Sequence, residues 1–355
     1  MAHTTSSVGF CLAYSHGPVA HLTHQLASYA RQLGLDVSIR STSQVTGPVN
    51  GDCWDRHVES PARRPLADWF ADKDYVLWFD VQRAITSRKL RERDLPVRHA
   101  LYLPLHDLPD GEHRQISQDY PALVCGTPTA SIMAAERFGT VRNNIHFVPA
   151  CPRLPTLKIQ PPTSGNRLLC LADSQVMKRQ GGSLLIALST SLTANPDLQI
   201  SLLHSTKPTQ AVASSLQRLS SRHASRFRSV LRPDCARRIA ELVEADWVLL
   251  PSVRDHVGLY GLEALAYRRP VLTFAVEPWS SLLPVRGESW QLPYLPGDAA
   301  TTYRGLADRI VALSQSAAVP DAARSDWSGT LHRFREAFED YWAKEWGLLP
   351  LLRKD

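Results

Sequence analysis

Short unbroken apolar runs alternate along the chain with longer segments whose apolar residues recur every three or four positions. The first kind predicts strands buried on both faces, the second amphipathic helices that cover them. Val8–Ala13 is the first such run and predicts a strand. Tyr14–Pro18 reads as a turn. Ala20–Leu33 predicts a helix, because Leu22, Leu26, Tyr29 and Leu33 share one stripe, and Gly34 closes it as a C-cap. Asp36–Arg40 returns as a strand. Tyr75–Phe79, Ala100–Leu105, Ala122–Cys125 and Ile145–Val148 predict further strands, and Thr129–Phe138 a helix.

Residues 151–166 break the alternation. Pro152, Pro155, Pro161, Pro162 and Gly165 discourage regular structure and mark a linker. The pattern then restarts with strand Arg167–Ala172, a helix near Gly182–Ala194, strand Gln199–His204, and helices Gln210–His223 and Cys235–Ala245. Trp247–Leu250 is a strand, and Pro270-Val271 opens another. Ala299–Gln315 and Asp326–Trp346 are late helices, the last rich in aromatics. The alternation predicts an α/β protein of two Rossmann-like domains, 1–150 and 167–325, joined by linker 151–166 and followed by a C-terminal helical segment, 326–355.

Length agrees, since 355 residues suit two domains of about 150–180 each. The composition, 44% hydrophobic and 21% charged, is that of a globular chain instead of a disordered one. No apolar stretch reaches the roughly 18 residues of a membrane span, and Met1–Ser7 is polar, so no transmembrane or signal segment is expected. Six scattered cysteines without a Cys-x-x-Cys pair read as free thiols of a reducing, cytoplasmic location. The net charge of +6 is uneven: residues 1–150 carry 15 basic and 15 acidic side chains, so the excess lies beyond them. It is densest from Lys207 to Arg238, which suits a phosphate-rich partner or a solvated basic helix face.

The chemistry concentrates in residues 249–273. The apolar run Trp247–Leu250 stops at Pro251-Ser252, a loop carries Asp255 and Gly258, and a helix places Glu263 one turn in before Pro270-Val271. This stretch resembles the donor-sugar loop of retaining nucleotide-sugar glycosyltransferases of the GT-B fold. The resemblance is to the family-4-like type, in which an acidic residue and a glutamate are separated by seven residues inside Pro-Ser-x-x-Glu-Gly-Phe-Gly-x-x-x-x-Glu-Ala. It implies two Rossmann-like domains facing across a cleft, with the last helix crossing back onto the first domain. It implies a UDP- or GDP-sugar as donor substrate and no required cofactor or metal.

Residue roles follow from the same resemblance. Asp255 would accept hydrogen bonds from donor sugar hydroxyls, and Glu263 would hold the ribose. The backbone N–H groups of Val257, Gly258 and Leu259 would lie near the anionic donor, at a helix N-terminus that favours anions. Lys178 and Arg179 would offset diphosphate charge, in the place of Gly-Arg-Leu-x-x-x-Lys-Gly. His106 would line the sugar pocket, and Gly17 would stand in a Gly-Gly turn. Three positions depart from the pattern: Asp173 replaces the arginine, Pro18 the second glycine, and Arg268 a glycine of Glu-Ala-x-Ala-x-Gly-x-Pro-Val. Asp72-Lys73-Asp74 is a D-x-D string, but it precedes a strand instead of following one and reads as a surface turn.

The acceptor is open among three classes: a modified base in DNA, a lipid-linked or polysaccharide acceptor, and a small molecule. Phage enzymes that glycosylate modified DNA bases share the two-domain plan, and the basic run suits phosphate contacts. On that reading Arg218, Arg222, Arg226 and Arg228 contact nucleic acid. The membrane-surface class predicts an amphipathic basic helix in the first domain, and Ala84–Leu95 has few large apolar residues for one. A catalytically degenerate nucleic-acid-binding module and a nucleotide-sugar epimerase are rival readings.

Overall fold

The structure is a computed structural model that describes residues 7–12, 18–32, 34–41, 58–59, 65–79, 98–103, 122–126, 131–132, 134–136, 145–147, 165–233, 235–252, 259–276, 291–316, 332–333, 336 and 340. The chain forms two compact units. One takes in Met1–Cys151 and Thr330–Asp355, the other Pro152–Gly329. Four described positions of the expected terminal helix, 332, 333, 336 and 340, are helical.

The first unit is built on seven strands: β1 Ser7–Leu12, β2 Asp36–Ser41, β3 Val58–Glu59, β4 Tyr75–Trp78, β5 Arg98–Leu103, β6 Ala122–Cys125 and β7 Ile145–Phe147. All pair in parallel, in the order β3-β2-β1-β4-β5-β6-β7. The helix between β1 and β2 runs Pro18–Gln32. It starts earlier than its apolar stripe because proline fits the first helical turn, where its missing N–H is not used. Leu22 and Leu26 are buried. Gly34 ends the helix at φ +85°, with its N–H on Arg31 O at 2.9 Å and that of Leu35 on Ala30 O at 3.2 Å. This is a Schellman cap, and glycine adopts its left-handed residue without a Cβ clash.

The second unit carries β8 Arg167–Ala172, β9 Gln199–His204, β10 Phe227–Leu231, β11 Trp247–Leu250, β12 Val271–Phe274 and β13 Gln291–Leu292. The sheet is again parallel, in the order β10-β9-β8-β11-β12-β13. Side chains alternate between its faces, as the two-residue period of a strand requires. Leu168, Cys170, Trp247, Leu249, Leu272 and Phe274 pack with helices Gly181–Ala194 and Ala299–Gln315. Leu169, Leu171, Val248, Leu250 and Val271 pack on the other face with helices Cys235–Glu244 and Leu259–Ala266. Thr209, which accepts from Val212 N at 3.5 Å ahead of helix Gln210–Arg222, and Asp298, which accepts from Thr301 N at 3.0 Å, cap helix starts with their side chains. β10 escapes the sequence pattern. It is an edge strand with arginine at its second position, so only Phe227 is fully buried and a continuous apolar run is lacking.

Candidate functional site

In an open parallel sheet a ligand crevice forms at the carboxyl ends of the strands, where the strand order reverses. In the second unit that reversal falls between β8 and β11, which pair directly. The predicted donor residues come from the segments that leave these two strands. Asp173, Lys178 and Arg179 follow β8, and Leu259 and Glu263 follow β11.

Asp173 now has a physical role. Its Oδ1 accepts the N–H of Val176 at 2.8 Å, and its carbonyl accepts that of Met177 at 3.1 Å. It therefore caps the helical turn that leaves β8, a position that favours aspartate over arginine. The turn continues as a π-helix over Val176–Gln180, a wound segment that often marks functional positions. Val176 and Met177 anchor it in the core, while Lys178 and Arg179 are exposed. Gln180 is fixed by the Tyr303 hydroxyl, which donates to its Oε1 at 2.9 Å. Burial of Tyr303 raises its pKa, so the hydroxyl keeps that proton. Two cations thus stand at the mouth of the switch point on a rigidly seated turn.

Glu263 lies within helix Leu259–Ala266 and is only 3% exposed. A buried carboxylate needs a countercharge. Arg238, in the first half of helix Cys235–Glu244, supplies it: Nη1 faces Glu263 Oε2 in an ion pair, with both side chains buried. The Arg238 guanidinium also lies 5.1 Å from the centre of the Tyr260 ring. Burial lowers the Arg238 pKa, the nearby Tyr260 and Tyr267 oppose that, and the guanidinium stays charged. Sequence reasoning passed over Arg238. Its signal was the spacing that puts Arg238, Leu242 and Ala245 on one helical stripe, all three buried.

Helix Leu259–Ala266 ends in a Schellman cap, with Arg268 N on Leu265 O at 2.9 Å and Arg269 N on Ala264 O at 2.8 Å. Arg268, which stands where a glycine was expected, adopts φ 54°. Left-handed backbone costs a non-glycine residue about 1–2 kcal/mol, and glycine returns part of that as unfolded-chain entropy. Arg268→Gly is therefore expected to raise stability by about 0.5–1 kcal/mol, read as a higher urea midpoint with unchanged slope. A lower midpoint would show that the arginine side chain contributes more than its backbone strain.

The four arginines assigned to nucleic acid behave differently. Arg218 and Arg222 are exposed near the end of helix Gln210–Arg222. Arg226 is spent on the fold: its Nη1 donates to Leu192 O and Asn195 O, both at 2.9 Å. Arg228 donates to Ser201 Oγ at 2.7 Å and pairs with buried Glu241 and, at 3.6 Å, with Glu244. Arg237 holds the other oxygen of Glu241 at 2.8 Å. Arg226 and Arg228 stand at the start of β10 and line a cavity of about 220 Å³ with Gln199, Ser201, Glu241 and Glu244. In a parallel sheet that is the amino edge, opposite the carboxyl edge from which the segments bearing Lys178 and Glu263 leave β8 and β11. From the same basic run, exposed Lys207 and Arg232 follow the carboxyl ends of β9 and β10.

Gly17, His106, Asp255, Val257 and Gly258 lie outside the described residues. Asp72-Lys73-Asp74 forms a turn before β4, in which Asp74 accepts the N–H of Ser7 at 2.7 Å. Among the described residues no set of three His, Cys, Asp or Glu side chains is grouped to hold a metal, and no helix is long and apolar enough to cross a membrane.

Comparison with known proteins adds to this geometry. No protein-family model matches the chain, and a search of curated proteins finds no match. Solved structures do match over almost the whole length. The pneumococcal O-GlcNAc transferase GtfA, solved with UDP and GlcNAc, superposes with a TM-score of 0.72 at 9% identity, covering 99% of this chain and 100% of its own. HepE from Anabaena, solved with UDP and glucose, gives 0.63 at 12% identity, covering 94% and 99%. The chain has the GT-B fold. Sucrose-phosphate synthase from Thermosynechococcus elongatus shares this GT-B architecture, with a TM-score of 0.58 at 14% identity and coverage of 96% and 100%.

Proposed function

We propose that the chain is a retaining glycosyltransferase that moves a sugar from a nucleoside-diphosphate donor to an acceptor hydroxyl. The observation that carries this reading is the convergence at the β8/β11 switch point: exposed Lys178 and Arg179 leave one strand, and charge-paired Glu263 leaves the other. UDP in the solved structures of GtfA and HepE supports a donor of that class. Lys178 and Arg179 neutralise the diphosphate as it departs, where charge develops in the transition state. Glu263 accepts from the ribose, and Asp255 from the sugar hydroxyls. Backbone N–H groups of Val257, Gly258 and Leu259 face the anion at the helix start, His106 lines the sugar, and Gly17 lets the backbone approach closely. The bond from the anomeric carbon to the diphosphate oxygen breaks, and the bond to the acceptor oxygen forms on the same face. The leaving diphosphate takes the acceptor proton, so neither a protein base nor a metal enters the scheme.

The test is nucleoside diphosphate release from a panel of UDP- and GDP-sugars. Release from at least one donor is expected. The variant Lys178→Ala/Arg179→Ala is expected to bind that donor about 10- to 100-fold more weakly, since each charged hydrogen bond contributes roughly 1.5–3 kcal/mol before solvent screening. A chain that neither binds nor cleaves any of the donors is not this enzyme.

For the acceptor we propose a modified base in DNA. Exposed Lys207 and Arg232, on the same sheet edge as Lys178, favour a polyanion. Donor turnover that rises with hydroxymethylated DNA is the expected result. Turnover indifferent to DNA directs the search to lipid-linked, polysaccharide or small-molecule acceptors. DNA binding without any donor turnover fits the binding-module reading instead.

A further inference from the structure

We infer that Arg238 is the positioning residue that fixes the ribose-binding carboxylate, and that it thereby sets the preference of the site for ribose over deoxyribose. The inference rests on the donor-binding reading of Glu263 and goes beyond it, because the sequence resemblance assigns no role to Arg238. Three observations carry it. Both partners are buried, with Arg238 6% and Glu263 3% exposed, so little water screens the pair. They belong to consecutive helices, Cys235–Glu244 and Leu259–Ala266, that flank β11. The guanidinium is also set against the Tyr260 ring of the glutamate's own helix, which limits its rotation.

A carboxylate offers about four lone-pair directions on two oxygens. Arg238 engages Oε2 and does not exhaust that capacity. A carboxylate held in one rotamer and already dehydrated has little entropy or hydration left to lose when a hydroxyl arrives. A site built around such a group rejects an analogue that lacks the hydroxyl, because the buried oxygen is then left unpaired. The arginine therefore acts through Glu263, without touching the donor.

The experiment compares UDP with 2′-deoxy-UDP by isothermal titration on the full chain. The wild type is expected to prefer UDP by about tenfold or more, the range of a lost charged hydrogen bond. Glu263→Gln and Arg238→Met are each expected to reduce that preference below about threefold, and the double variant to do no worse than either, as coupled residues behave. Arg238→Lys keeps the buried charge and so protects the fold. Its single-point ammonium cannot hold the carboxylate as the planar guanidinium does, and its preference is expected to fall between the two. A folded Arg238→Met or Arg238→Lys with the wild-type preference overturns the inference. So does equal weakening toward both nucleotides, which is the mark of a purely structural pair. If wild type and Glu263→Gln bind both nucleotides alike, Glu263 has no ribose role and the inference falls with that assignment. A wild type that binds neither UDP nor GDP overturns the donor reading itself.

Discussion

Glu263→Ala is expected to be the most damaging single substitution in the second unit, with losses in stability and in donor binding that can be separated. The change leaves the Arg238 guanidinium buried without its carboxylate. Breaking a buried pair by removing one partner costs about 3–5 kcal/mol, because the surviving charge stays out of water. A domain holds roughly 5–15 kcal/mol in all, so the variant should unfold at a much lower urea concentration. The double variant Arg238→Leu/Glu263→Leu removes both charges and is expected to recover most of that loss, since apolar replacements of a buried pair are often neutral or better. It is not expected to recover nucleotide affinity. Urea midpoints and UDP titrations on the parent, the single and the double variant decide the matter. A Glu263→Ala midpoint within about 1 kcal/mol of the parent would mean the pair is screened like a surface bridge. A double variant that regains UDP binding would remove Glu263 from the donor site.

The same residues show what the pattern of the chain reveals and where it stops. Largely apolar runs identified β8, β9 and β11, because a strand covered on both faces buries side chains of either parity. β10 was missed because an edge strand has one side open, and Arg228 there can reach Ser201 and Glu241. Local cap chemistry was legible at Gly34. At Asp173 the pattern showed only a departure from the expected arginine, and the geometry supplies a helix cap there. Charge density was the least informative signal. It counts arginines without registering which end of a strand they occupy, or whether a helix C-terminus or a buried glutamate has already claimed them. The pairing of Arg238 with Glu263 joins residues 25 positions apart across a strand, and no local pattern encodes such a contact.

Arg226→Ala is the second large effect expected, and it bears on the acceptor. The side chain donates to Leu192 O and Asn195 O, carbonyls at the end of helix Gly181–Ala194. Those groups have no partner within their own helix and carry the negative end of its dipole. Its Nη2 also meets His223 Nδ1 at 3.1 Å. Burial, then the charges of Arg226 and Arg222, lower the pKa of His223, so its neutral ring can accept from the guanidinium. Losing a charged donor to two carbonyls is expected to cost about 2–3 kcal/mol, whereas Arg218→Ala and Arg222→Ala, both exposed, should stay within about 0.5 kcal/mol. Denaturation midpoints check the contrast. DNA binding then tests location. Each lost phosphate contact lowers the slope of log affinity against log salt by about 1. Lys207→Ala/Arg232→Ala is expected to lower that slope, and Arg226→Ala, measured below its unfolding transition, to leave it unchanged. The opposite result would put the acceptor on the amino edge of the sheet, a strand's length from the carboxyl edge where the donor is proposed to bind, and a transfer reaction cannot span that distance.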